Sequence, residues 1–74
     1  MSNAYGVVLF ESTSAAMRAE KEVKKHGLKV KLIPVPRHLS SDCGICLRFD
    51  WPDMDKIKEL LVSVDLRFEG IQQV

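Results

Sequence analysis

The chain has 74 residues and a mass of 8.4 kDa, which leaves room for one domain and no second core. Its 46% hydrophobic and 28% charged composition is that of a globular protein and argues against disorder. Eleven basic and ten acidic residues leave a net charge of +1, too weak a field for a protein that tracks phosphates.

Met1–Ala4 has neither the basic region nor the long apolar stretch of a signal peptide. It reads as a short extension or an expression scar ahead of a single domain over residues 5–74. Tyr5-Gly-Val-Val-Leu-Phe10 is β-branched and aromatic, and reads as a first strand. Ser12-Thr13-Ser14 offers N-cap side chains for a helix whose stripe is Ala16, Ala19 and Val23. Arg18, Lys21, Glu22 and Lys25 turn to water on that helix, and Gly27 stops it.

Lys29-Val-Lys-Leu-Ile33 alternates, with Val30 and Leu32 inward and both lysines outward. Pro34 and Pro36 end this strand and favour an edge position, because proline donates nothing to a ladder. A stiff loop through Ser40-Ser41-Asp42 follows. Ile45 to Asp50 is the next strand, with Ile45, Leu47 and Phe49 on one face and Cys46 and Arg48 on the other. Pro52 and Asp53 open a second helix with Met54, Ile57, Leu60, Leu61 and Val64 as its buried stripe. Leu66-Arg-Phe-Glu69 reads as the last strand, with Leu66 and Phe68 inward.

The order is βαββαβ. Right-handed crossovers turn it into an α+β, ferredoxin-like split βαβ sandwich: a four-stranded antiparallel sheet with two helices on one face. The first two strands then run the same way. The loop around Cys43 and the start of the first helix share one end of the molecule, and His26 and Trp51 belong to the other.

No apolar run reaches the ~20 residues that span a bilayer, so the expected compartment is the cytoplasm. There, two cysteines three positions apart are more often redox-active, catalytic or metal-binding than a structural staple. Cys43-Gly-Ile-Cys46 has CxxC spacing, but it enters a strand, whereas thioredoxin-like sites open a helix. Thiolate is favoured near cations and helix N-termini, and Arg37 and His38 lie a few residues upstream. Gly44 leaves the backbone beside Cys43 unencumbered. Cys43, at the loop-to-strand junction, is the better nucleophile candidate; Cys46 should project from the sheet face away from the helices. The competing reading makes both cysteines small apolar fillers.

Zinc needs four ligands, and His26 stands at the wrong end to complete two Cys and two His. The lysine-rich first helix, interleaved with Glu20 and Glu22, is a solvated face before it is a docking face. No glycine-rich phosphate loop is present, so no cofactor is expected. The few, scattered aromatics argue against a nucleic-acid platform.

Leu32-Ile-Pro-Val-Pro-Arg37, Ser40-Ser-Asp-Cys-Gly44 and Leu47-Arg-Phe49 together resemble the Se/S carrier protein-like family across nearly the whole chain. The resemblance implies a cysteine that carries sulfur or selenium, and Cys43 matches the family's Cys-Gly element. On this reading Cys43 accepts a persulfide-type atom from a protein donor such as a cysteine desulfurase and passes it to an acceptor protein. Arg37, His38 and the Gly44 N–H favour the anion, and Cys46 releases the cargo by pairing with Cys43. That is a carrier more than a turnover enzyme, with a homodimer through the open sheet face as its expected assembly. The alternative is a regulatory or structural interaction module, in which the thiols pack or sense redox state. A third reading, a thiol–disulfide oxidoreductase, would need a measurable potential for the pair.

Overall fold

The computed structural model describes residues 4–37, 39 and 44–74. The elements are β1 (Tyr5–Leu9), α1 (Thr13–Lys25), β2 (Val30–Pro34), β3 (Ile45–Asp50), a 3₁₀ turn (Trp51–Asp53), α2 (Met54–Ser63) and β4 (Gly70–Gln73). The sheet order is β2-β3-β1-β4, and every neighbouring pair is antiparallel. Each β–helix–β unit straddles one intervening strand, as the expected split βαβ sandwich requires. β2, with Pro34 at its end, is an edge strand.

The local signals act where the sequence places them. The Ser12 side chain accepts from the Ala15 N–H at 3.2 Å, satisfying one otherwise unpaired donor at the start of α1. Gly27 has a φ of +78° and donates to the Lys24 carbonyl, a left-handed stop that glycine adopts without strain. Gly6 is required for space. A Cβ there would lie 2.5 Å from the ring of Phe49 and 2.6 Å from that of Trp51. Those two rings stack with centroids 6.0 Å apart and seal the His26 end of the core.

The main core lies between the sheet and the helices. Val8, Phe10, Leu47 and Phe49 from the β-layer meet Ala16, Ala19 and Val23 of α1 and Ile57 and Leu61 of α2. Val30, Leu32 and Phe68 pack at its margin, so the residues expected to share one core do share it.

Two sequence readings need correction. The last strand is Gly70–Gln73, not Leu66–Glu69. Asp65 takes a left-handed φ of 57°, its N–H bonds the Val62 carbonyl, and the Leu66 N–H bonds the Leu61 carbonyl. This is a Schellman ending of α2, and Leu66 is buried because it folds back over the helix it terminates. The alternation of Leu66 and Phe68 reports burial in a cap, and pairing with β1 begins only at the Glu69 N–H, which donates to Leu9.

The second correction concerns the sheet face turned away from the helices. The sequence reading leaves it open, but Val7, Leu9 and Cys46 form a second buried cluster there. Ile33, Val35 and Leu39 pack against that cluster, so the chain leaving β2 turns back across the sheet.

Candidate functional site

Strand parity puts Cys46 on the outer face, as expected, opposite Ile33 on one side and Leu9 on the other. It does not reach solvent: its exposure is 0%. Its Sγ lies 3.9 Å from the Pro34 carbonyl oxygen, at the long end of S–H···O contact. A thiol in this position is packed among apolar side chains, an environment that disfavours thiolate.

Among the described residues the backbone holds the cover over it at two points. The Val35 N–H donates to the Gly44 carbonyl at 3.1 Å, extending the β2–β3 ladder one step beyond the strands. The Leu39 N–H donates to the Pro36 carbonyl at 3.0 Å, a turn that brings Leu39 back to the sheet. Arg37, inside this turn, is exposed. Gly44 is exposed as well. Among the described residues an added Cβ on Gly44 would meet nothing within 4 Å. Cys43 and His38 lie outside the described residues, as do Ser40, Ser41 and Asp42.

Topology brings the ends of β1 and β2, the start of β3 and the start of α1 to one end of the molecule. There Glu11 shares a cleft of about 340 Å³ with Asp65, Leu66, Arg67 and Phe68. The Cys46 cover lies on the outer face, whereas α1 starts over the helix face, so the two features share an end but not a side.

His26 is separated from this end. It closes α1 beside Lys56 of α2, where its Nδ1–H donates to the Glu22 carbonyl at 3.0 Å. That role in the last turn of a helix accounts for the residue without a metal. Among the described residues no three His, Cys, Asp or Glu side chains gather as a metal site.

A feature missed by the sequence reading lies further along the outer face. The Arg48 guanidinium sits 4.6 Å from the centre of the Tyr5 ring. Arg48 is also the cross-strand partner of Lys31. With Lys29 and Asp50 these residues line a cleft of about 190 Å³. Alternation assigns each side chain to the outer face, but only the strand register shows that the cations stand opposite one another.

The family model described as "Putative Se/S carrier protein-like" matches residues 5–73. An uncharacterised protein of Methanocaldococcus jannaschii is 32% identical over 62 residues, which is 84% of this chain. The chain spans about 31% of the length of that relative. No solved structure matches the chain. Among the described residues no helix is long and apolar enough to cross a membrane.

Proposed function

The chain belongs to the Se/S carrier protein-like family, and from that premise we propose that it carries a sulfur or selenium atom on Cys43 and exchanges it with protein partners. The observation that carries this assignment to Cys43 is the burial of the other thiol. Cys46 is closed in among Val7, Leu9, Ile33, Val35 and Leu39, which supports assigning the carrier role to the other cysteine of the chain, Cys43.

In the loading step the Cys43 thiolate attacks the terminal sulfur of a donor persulfide, R–S–SH. A Cys43–sulfur bond forms, the donor S–S bond breaks, and the donor leaves as thiolate R–S⁻. The sulfane atom changes carrier, and no external oxidant or reductant is consumed. A cysteine desulfurase fits the donor role. Delivery repeats the exchange with an acceptor thiolate. Release through Cys46, with formation of a Cys43–Cys46 disulfide and loss of HS⁻, requires the 35–39 chain to lift off the sheet. Direct handover to the acceptor is therefore the proposed route. Arg37, exposed in the covering turn, supplies positive charge for the thiolate, with His38 and the Gly44 N–H as its expected companions.

The test is alkylation of the native protein by iodoacetamide across a pH series, read by intact mass and peptide mapping. Cys43 should be modified first, with a midpoint below the ~8.5 of an unperturbed thiol. Arg37→Ala should move that midpoint upward. If Cys43 reacts only after denaturation, the carrier mechanism fails and the interaction-module reading takes its place.

A further inference from the structure

From the charge pattern on the sheet we infer that the part of the outer face where Lys29, Lys31 and Arg48 line one cleft with Tyr5, which no other described segment covers, docks an acidic segment of a partner protein. Lys31 and Arg48 are directly opposite each other on adjacent strands, an arrangement of like charges that destabilises a sheet. Among the described residues neither of them, nor Lys29, forms an ion pair. Asp50 is the one acidic residue lining their cleft.

The lysines of α1 are a useful contrast. Lys24 lies 3.4 Å from Glu20, and Lys25 lies 3.5 Å from Glu22, so the helix offsets part of its own charge. The sheet does not. Arg48 is in addition laid on the Tyr5 ring, a cation–π contact that restricts a long side chain before any partner arrives. A restrained, planar guanidinium presents paired donors to a carboxylate.

The occupant follows from charge and size. A cleft of about 190 Å³ accepts carboxylate side chains rather than a folded cofactor. A second copy of the chain is a poor occupant, since an isologous contact would set this patch against itself. Nucleic acid is disfavoured by the net charge of +1. The patch also shares its face with the Val35–Leu39 cover, next to exposed Arg37. An acidic partner seated on Lys31 and Arg48 would lie alongside the chain that leads to Cys43. This deepens the carrier reading by giving the partner a charge and a face.

The test is fluorescence anisotropy of a labelled oligoglutamate peptide with the full chain at low and physiological salt. Lys31→Gln and Arg48→Gln should each weaken binding about threefold to fivefold, whereas Lys24→Gln and Lys25→Gln should change it less than about twofold. Lys31→Glu should abolish binding and raise the melting temperature by about 2–6 °C, because it turns a repulsive cross-strand pair into an attractive one. Equal losses from all four neutral variants would overturn the inference, since binding would then follow diffuse charge. Stronger competition by an oligothymidylate of equal charge would overturn it in favour of nucleic acid, and a lower melting temperature for Lys31→Glu would remove its physical basis. Neither thiol enters these measurements, so a failure of sulfur loading and a failure of docking would be told apart.

Discussion

The two faces of the sheet are sealed by different means. On the helix side, two amphipathic helices press Ala16, Ala19, Val23, Ile57 and Leu61 onto Val8, Leu47 and Phe49. On the outer side, Val7, Leu9 and Cys46 are closed by Ile33 and by an irregular chain that touches down at Val35 and Leu39. The helix side can open only by undoing regular elements that hold one another in place. Among the described residues the outer cover is held by the Val35 and Leu39 backbone bonds and a small apolar contact, the kind of attachment that opens locally. The buried thiol Cys46 therefore lies under the more lightly held seal, and the stability of the domain rests on the other one.

Substitutions can break this contrast, beginning with the largest effect. Leu61→Ala empties a fully buried position on the helix side and should cost about 2–5 kcal/mol in denaturant unfolding. An unchanged unfolding midpoint would mean that α2 does not close the core. Gly6→Ala should cost about 1–3 kcal/mol, because the added methyl meets the Phe49 and Trp51 rings. That loss should appear in the global transition and be accompanied by a change in Trp51 fluorescence. Cys46→Ser places a hydroxyl in an apolar cluster and should cost about 1–2 kcal/mol. Its signature should be local. Hydrogen exchange should quicken at the Val35 and Leu39 amides while the amides of α2 keep their protection relative to global unfolding. Equal loss of protection on both faces would show that the two seals are one cooperative unit.

Much of the helix side was legible because it is periodic. Ser12 and Gly27 bracket α1 as capping and stop signals should, and the stripes of both helices and the span of β3 coincide with those read from residue spacing. The failure at β4 has a local cause. Leu66 and Phe68 alternate like strand residues, yet a left-handed Asp65 sends them under the end of α2, and no glycine marks that turn. The outer cover was illegible for the opposite reason. Val35 and Leu39 carry no period, and a proline-rich segment reads as exposed loop whether or not it returns to the sheet. The Lys31–Arg48 opposition depends on register, which the sequence pattern of either strand alone does not contain. At the site itself, the assignment of Cys46 to the outer face was sound, but its closure by the same chain that presents Arg37 was not foreseen. Cys43 and His38 remain proposals resting on chemistry and family membership.

The central claim is that the atom is carried on Cys43 while Cys46 stays in the packing. It is tested most directly by intact mass spectrometry after incubation with a cysteine desulfurase and cysteine. The native chain and Cys46→Ala should each gain the mass of one sulfur atom, removable by a reducing thiol and mapped to the Cys43 peptide. Cys43→Ser should gain nothing while keeping its native circular dichroism. Loading that survives in Cys43→Ser, or that disappears in a folded Cys46→Ala, would contradict the account.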